Sequence, residues 1–290
     1  MRTRPLMGML LALCALVSIG TRAQAQTRWI EANGVSLRYE LTGQGGHTIV
    51  LLHEMGMTLE SWDLILPQLA ASHRVLRYDL RGFGLSEKIR GVITFEDEVA
   101  DLRALLDKLG ISGKVTLVGG AVGAAVALDF AATYPERVEG VFAMSPAAGT
   151  DGYARSVGSM TAAARAERSA MRPLLDADMP DIYPDSIAGG AERRARFRAM
   201  QLSTDTTSMA ATLRMIAITD FSGIFARIRC PTVIAAAALY QARPVAQMQA
   251  MADQIKGARL EVLQTGHFMA SQSPELLLPV LQKFFTQIGI

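Results

Sequence analysis

The segment from Gly119 to Gly123 has the spacing of a catalytic turn but lacks its nucleophile. A β-branched run, Val115 to Val118, precedes the segment, and a small-residue helical run begins near Val122. A strand, a sharp glycine turn and a helix form a nucleophile elbow, G-x-S-x-G, which exposes a serine hydroxyl for attack on a carbonyl. Ala121 stands where that hydroxyl should be. The sequence therefore predicts the scaffold of an enzyme with its usual nucleophile position vacant.

The strongest remaining chemical group is His267. An imidazole titrates near neutral pH and can accept or donate a proton, although a histidine in a pocket wall can also be purely structural. No two of the four histidines have metal-ligand spacing, so we expect no metal ion and no other cofactor. Cys230 directly precedes Pro231 at the start of a predicted strand, which favours a buried apolar role for its thiol.

Strands and helices alternate along most of the chain, which predicts a mostly parallel sheet with helices on both faces. Residues 27–43 alternate in polarity around Asn33-Gly34, a hairpin signal. Residues 48–53 form an apolar run that is typical of a strand buried on both faces. Residues 59–71 and 95–109 have helical spacing of apolar side chains, and each range predicts one amphipathic helix.

The alternation stops between residues 147 and about 229, where helical patterns occur without a clear strand. We predict that this segment is a helical lid, inserted over the active edge of the sheet. Strands resume at residues 232–238 and 260–263, and residues 274–287 predict a closing amphipathic helix.

The first 25 residues predict a secretory signal peptide. Arg2 and Arg4 precede an apolar run, residues 6–19, that is short for a membrane span, and Ala23-Gln24-Ala25 follows as a cleavage site. Cleavage leaves a single domain, residues 26–290, in the periplasm or outside the cell; an uncleaved anchor is the alternative. The leader holds three arginines and no acid, so its loss takes the formal charge from +2 to −1. We therefore expect no nucleic-acid or membrane partner for the mature chain.

Four motifs, in the expected order, resemble the α/β-hydrolase superfamily over nearly the whole mature chain. They are the strand and loop 50–62 with His53, the D-x-R-G-x-G-x-S turn ending at Ser86, Tyr134-Pro135 after the elbow helix, and Gly266-His267-Phe268 after the last strand. The chain is similar to 3-oxoadipate enol-lactonases and related small lactone or ester hydrolases. The resemblance implies an α/β-hydrolase fold and a small, apolar, lactone-like or ester-like substrate.

The resemblance also implies a serine, histidine and acid triad, and two of those three positions are substituted. Ala121 replaces the serine, and Tyr240 stands roughly where the acid belongs. In addition, Glu54 follows His53 where the family usually has glycine. An engineered serine knockout would account for Ala121 but not for Tyr240, so the sequence indicates a naturally altered site.

We hypothesise that Glu54 lies in the pocket opposite His267, with a water in the volume of the missing serine side chain. The two side chains would then polarise or deprotonate that water or an acidic substrate proton. The backbone N–H groups of Met55 and Val122 would stabilise an oxyanion, because backbone donors survive side-chain changes. The alternative for Glu54 is a solvated loop carboxylate or a structural partner of Arg81.

Other residues could replace the missing serine nucleophile or the missing triad acid. Ser145, Ser86 and Ser271 are candidate nucleophiles, and Ser145 is favoured because it follows a strand at the carboxyl edge of the sheet. Tyr240 could hydrogen-bond the catalytic histidine in place of the acid, although a neutral phenol stabilises an imidazolium less than a carboxylate does. Asp151 could be a relocated acid.

Three functions are compatible with these residues. The favoured one is an exported hydrolase that cleaves a small activated lactone or ester without a seryl intermediate. The second is a non-catalytic protein that binds small molecules in the retained pocket. The third is a lyase that uses His267 as its base.

Overall fold

The computed structural model describes residues 27–149, 152–187 and 189–290, so the predicted signal peptide and Asp151 lie outside the described residues. One eight-stranded sheet forms the centre of the molecule. In chain order its strands are β1 (Arg28–Ala32), β2 (Val35–Thr42), β3 (Thr48–Leu52), β4 (Arg74–Tyr78), β5 (Val115–Gly120), β6 (Val138–Met144), β7 (Thr232–Ala237) and β8 (Arg259–Leu263).

The strands lie side by side in the order β1-β2-β4-β3-β5-β6-β7-β8. β1 and β2 form the predicted antiparallel hairpin, in which Asn33 and Gly34 adopt φ angles of 51° and 74°. β2 also runs antiparallel to β4, whereas every pair from β4 to β8 is parallel. This arrangement confirms the expected α/β-hydrolase fold, and it brings the carboxyl ends of β3, β5, β6, β7 and β8 to one edge.

Helices cover both faces of the sheet. They are α1 (Leu66–Ala70), α2 (Phe95–Lys108), α3 (Ala121–Thr133), α4 (Gly152–Arg168), α5 (Met171–Ile182), α6 (Gly190–Leu202), α7 (Thr206–Ile218), α8 (Ser222–Phe225), α9 (Val245–Ala252), α10 (Met269–Gln272) and α11 (Pro274–Ile288). α2, α3 and α9 pack on one face, and α1 and α11 pack on the other. No helix in the described ranges is both long enough and apolar enough to cross a membrane.

The predicted single helix over residues 59–71 is wrong, because this segment is divided. A 3₁₀ turn (Leu59–Trp62) comes first, and the Thr58 hydroxyl accepts the backbone N–H of Glu60 at its start. α1 then begins separately, with Pro67 in its first turn. Proline has no N–H to donate to the preceding turn, so it starts a helix more readily than it continues one.

The alanine-rich helix α3 lies directly behind the catalytic edge. Residues 121–132 are all buried, and the helix packs closely on β5 and β6. Small side chains allow this close approach: a Cβ added to Gly123 would lie only 2.6 Å from the carbonyl oxygen of His53. α3 therefore packs tightly against β5, the strand that directly precedes it in the chain.

Between β6 and β7 the described residues form five helices, α4 to α8, and no strand. α4 packs extensively on α7, and α5 packs on α6. These contacts bury two small apolar clusters that are separate from the two clusters flanking the sheet. The helices α4 to α7 lie over the carboxyl ends of the strands and supply the roof of the cavity described next.

Candidate functional site

A cavity of about 260 Å³ lies between the carboxyl ends of the strands and the helices α4 to α7. Most of its wall is apolar, and the helices contribute side chains such as Met171, Leu174, Met209 and Ile216. The polar side chains on its wall are Glu54, Arg165, Asp178, Gln201, Tyr240, Arg243 and His267. A few polar groups converging in an apolar cavity are typical of a small-molecule site.

The nucleophile elbow keeps its strained geometry without a serine. Ala121, the first residue of α3, has φ = 47°, a left-handed conformation that costs an alanine about 1 kcal/mol. The N–H of Ala147 donates to the Ala121 carbonyl over 2.8 Å, which helps to hold the turn. Ala121 also lines the cavity. The fold therefore presents a methyl group where this turn usually presents a hydroxyl.

Glu54 lies in the cavity wall, 2% exposed, with its side chain against the elbow. A Cβ added to Gly120 would lie 2.6 Å from the Glu54 carboxyl carbon, so the glycine makes room for this carboxyl group. Its Oε1 is buried and has no hydrogen-bond partner among the described residues. Burial raises the pKa of Glu54 to about 7, only partly offset by a hydrogen bond from its own backbone N–H.

The expectation of a solvated Glu54, or of a Glu54–Arg81 pair, is wrong. Arg81 instead pairs with Asp101, with 2.8 Å between Arg81 Nε and Asp101 Oδ2. The neighbouring His53 is structural. Its Nε2 accepts the N–H of Leu80 over 2.9 Å, and its Nδ1 donates to the Glu54 carbonyl over 2.7 Å. These bonds hold the Glu54 backbone at the end of β3.

His267 lies on the same cavity wall and is 6% exposed. Its ring stacks on Tyr240, with 4.4 Å between ring centroids and 29° between planes, and Phe268 contacts it edge-on. Its Nδ1 is buried and has no hydrogen-bond partner in the described part of the chain. Burial, with a smaller contribution from the charge of Arg243, holds the pKa of His267 well below its usual range. The imidazole is therefore neutral at pH 7.

Tyr240 does not replace the triad acid in the way the sequence suggested. The stacked rings leave the His267 Nδ1 without the expected hydrogen bond from the phenol. Burial raises the pKa of Tyr240, so the phenol stays neutral. Tyr240 thus holds the imidazole ring by contact and supplies no charge to it.

The structure places the oxyanion candidates beside these groups. Met55 and Val122 both line the cavity. Val122 lies in the first turn of α3, where a backbone N–H has no acceptor within its own helix. The Val122 N–H therefore has no partner within its own helix, and Met55 lies on the same cavity wall.

The other candidate nucleophiles are separate from the cavity wall. Ser145 is buried at the end of β6, and its Oγ has no partner among the described residues, but it does not line the cavity. Ser86 donates to the Asp79 carbonyl over 2.7 Å, and Ser271 donates to the Phe268 carbonyl over 3.2 Å, so both hydroxyls are structural. Cys230 is partly buried in a core cluster.

Four polar cavity residues were not predicted: Arg165, Asp178, Gln201 and Arg243. Gln201 lies on α6, and its amide contacts the loop after β3, with Nε2 3.3 Å from the sulfur of Met57. Arg243 donates to the carbonyl of Pro146 and supplies a positive charge near His267. Within the described ranges, no group of three or more His, Cys, Asp or Glu side chains could hold a metal ion.

We predict that Glu54 makes the protein less stable as the pH rises from about 4.5 to about 7. In that range the unfolded carboxyl has released its proton, whereas the buried one retains it. The unfolded state then binds fewer protons, so the free energy of unfolding falls with pH, by about 3 kcal/mol in total for this shift.

Glu54→Gln has no titrating proton at this position, so its free energy of unfolding should fall less over the same pH range. Urea unfolding of both proteins at pH 5 and pH 8 measures the difference. The pKa of His267 is lowered in the folded protein, so its titration makes the free energy of unfolding rise with pH. This contribution is present in both proteins and therefore cancels when their pH profiles are compared. Parallel pH profiles for the two proteins would show that Glu54 titrates normally.

Comparison with known proteins places this site in a family. Residues 49–280 match the alpha/beta hydrolase family. Among solved structures, a thermophilic esterase from Thermogutta terrifontis with malate bound is 26% identical, with a TM-score of 0.83 over 92% of this chain and 100% of that one. The enol-lactonase from Burkholderia xenovorans LB400 is also 26% identical, with a TM-score of 0.78 over 89% of this chain and 100% of that one.

Among curated proteins, 2-hydroxy-6-oxo-6-(2'-aminophenyl)hexa-2,4-dienoic acid hydrolase of Metapseudomonas resinovorans is 31% identical over 123 residues. That match covers 41% of this chain and 42% of the relative. The chain matches only 29% to 42% of the length of the first curated relatives. The family match is far longer, spanning most of the sheet and all of the site residues described above. The chain therefore belongs to the alpha/beta hydrolase family.

Proposed function

We propose that the protein hydrolyses a small activated lactone or ester without forming a seryl-enzyme intermediate. One observation carries this proposal: Glu54 and His267 are both buried on the wall of the cavity that contains Ala121. Each of these side chains has a polar atom with no hydrogen-bond partner among the described residues. Such groups retain their full capacity to bind water or substrate.

In this mechanism a water binds beside the Ala121 methyl group. The Glu54 carboxylate accepts a proton from the water as its oxygen attacks the substrate carbonyl, and His267 is the alternative base. The N–H groups of Met55 and Val122 stabilise the negative charge that develops on the carbonyl oxygen. The tetrahedral intermediate then expels the alcohol or enol oxygen, which regains the proton. Because no acyl-enzyme divides the reaction into easier steps, an activated ester or lactone suits the site better than an ordinary ester.

The structural neighbours support this substrate class, since one is an esterase and another an enol-lactonase. The apolar cavity wall supports a substrate with an apolar body. The cavity volume of about 260 Å³ limits that substrate to a small molecule.

Turnover of a panel of activated lactones and esters by protein beginning at Gln26 tests the proposal. We expect kcat/KM to rise with pH up to about 7 and then level, because the Glu54 carboxylate must be ionised to act as a base. Burial holds the pKa of His267 well below its usual range, so its titration should not alter the rate near pH 7. A rate that is flat from pH 5 to 8, although substrate is consumed, would exclude Glu54 as the base.

A second function, binding without turnover, is favoured by one observation. The His267 Nδ1 has lost the carboxylate that usually orients a catalytic imidazole, and a stacked tyrosine holds the ring instead. Wild-type protein that turns over no compound of the panel, while one compound raises its melting temperature, would establish a binding protein on a hydrolase scaffold. A lyase with His267 as its base would release an unsaturated product from the same panel without consuming water.

We also propose export, with cleavage after Ala25, on the basis of the basic start and apolar run of the leader. Sequencing the amino terminus of protein recovered from the periplasmic fraction tests this point. The proposal predicts a start at Gln26; a chain that retains the leader and stays with the membranes would contradict it.

A further inference from the structure

Glu54 differs from an ordinary solvent-facing carboxylate because no cationic side chain among the described residues pairs with it. Its Oε1 is buried, unpartnered among the described residues, and lies where Gly120 leaves space. A carboxylate in an apolar wall is a stronger base than one in water, because ionisation there is not stabilised by solvent. Such a base is suited to removing a proton from carbon, a transfer that a solvated carboxylate performs poorly.

The rest of the cavity provides the two other requirements of that chemistry. Met55 and Val122 line the cavity, so their backbone N–H groups are the candidates to stabilise the negative charge of an enolate oxygen, as proposed above for an oxyanion. Ala121 offers no hydroxyl to attack the carbonyl carbon, so acylation cannot compete at this turn. A bound ketone would thus be polarised at its carbonyl group without forming a covalent bond to residue 121.

We propose that the cavity catalyses proton exchange at the carbon next to a carbonyl group, with Glu54 as the base, in small apolar ketones and 1,3-dicarbonyl compounds. This activity goes beyond hydrolysis of an ester or lactone. It uses the same cavity but requires neither a cleavable ester bond nor attack by water, so either activity can be present without the other.

The exchange step is balanced and needs no co-reactant. The α-carbon–hydrogen bond breaks, its proton passes to a carboxylate oxygen of Glu54, and the electron pair forms the enolate double bond while charge moves to the carbonyl oxygen. The carboxyl proton exchanges with solvent. The reverse step then returns a solvent-derived proton, or a deuteron in D₂O, to the same carbon. No atom is oxidised or reduced.

The charges around Glu54 set the pH range of this activity. In the part of the chain that the structure describes, the other titratable and charged side chains on the cavity wall are His267, Tyr240 and Arg243 beside β7 and β8, with Arg165 on α4 and Asp178 on α5. Arg165 and Asp178 pair with each other over 3.5 Å, and burial keeps the imidazole and the phenol neutral near pH 7. Titration of Glu54, whose pKa is about 7, therefore controls the rate in this range.

The test is deuterium incorporation into 2-tetralone, a two-ring ketone with no ester bond, followed by NMR in D₂O. We expect wild-type protein to exceed the buffer rate, with the enzymatic rate rising through pH 7 and then levelling. Glu54→Gln should lower the rate by about 100-fold, the range of general base catalysis. Gly120→Ala, which retains the carboxyl but displaces it, should lower the rate as well.

Glu98→Gln is the matched control. Glu98 is 1% exposed on α2, its Oε2 has no partner among the described residues, and burial raises its pKa, but it does not line the cavity. This variant should exchange at the wild-type rate, and melting temperatures confirm that every variant is folded. Exchange that survives in Glu54→Gln but disappears in His267→Ala, or wild-type exchange no faster than buffer, overturns the proposal. If wild-type protein hydrolyses an ester but does not catalyse exchange, the exchange proposal fails while the proposed hydrolytic function stands.

Discussion

Ala121→Ser should convert a protein that a fluorophosphonate probe does not label into one that is labelled stoichiometrically. The turn at residue 121 already has the left-handed φ of 47° that presents a nucleophile, and the neutral His267 lies on the same cavity wall. The substitution therefore adds a hydroxyl to a scaffold that has retained its geometry. Intact-protein mass spectrometry after probe treatment measures the labelled fraction.

Labelling of Ala121→Ser should still be slow, because Tyr240 stacks on the histidine and provides no carboxylate for its Nδ1. Adding Tyr240→Asp should accelerate labelling by about 10²-fold to 10⁴-fold, the range expected when the acid of a triad is restored. Ser145→Ala in the same background is the control and should change nothing, since Ser145 does not line the cavity. A folded Ala121→Ser protein that stays unlabelled would show that the elbow no longer presents its side chain to the site.

The second large effect is expected on turnover itself. His267→Ala and Glu54→Gln should each lower kcat/KM by about 10²-fold to 10⁴-fold, the contribution of a positioned acid or base. If the two groups activate one water, the double variant should be little slower than the slower single variant, because groups that act as a unit are not additive. Steady-state kinetics on the best lactone of the panel measures all three.

Tyr240→Phe is the matched control for these variants. The substitution keeps the aromatic ring that stacks on His267 and removes only the phenol hydroxyl. Its kcat/KM should remain within about twofold of wild type, since contact rather than hydrogen bonding holds the imidazole. A loss in Tyr240→Phe as large as that in His267→Ala would show that the phenol takes part in the chemistry.

The fold was predictable because its signals are local and ordered along the chain. The alternation of buried strands and helices predicts the parallel sheet, and Asn33-Gly34 predicts the hairpin turn that β1 and β2 form. The divided helix after β3 was missed because the apolar period continues through Pro67, while the break depends on local capping by Thr58. The position of Glu54 could be proposed from the motif, but its burial depends on the space left by Gly120, 66 positions further along the chain.

Other details of the site depend on contacts that no sequence period encodes. Tyr240 and His267 come from loops after different strands, and whether their rings stack or hydrogen-bond is decided by side-chain packing. Similarly, the helices α4 to α7 carry apolar residues that could equally fill a core or line a cavity. Gln201 and Arg243 had no motif to identify them, because their importance follows only from where these helices and the loop after β7 place them.

The central claim is hydrolysis without a serine nucleophile, and turnover after fluorophosphonate treatment tests it most directly. Wild-type protein is incubated with excess probe, its mass is recorded, and its rate on an activated lactone is then compared with that of untreated protein. We predict an unchanged mass and an unchanged rate, because Ala121 offers the probe no hydroxyl. A stoichiometric adduct with a matching loss of activity would contradict the account and reveal a relocated nucleophile, with Ser145 the first residue to examine.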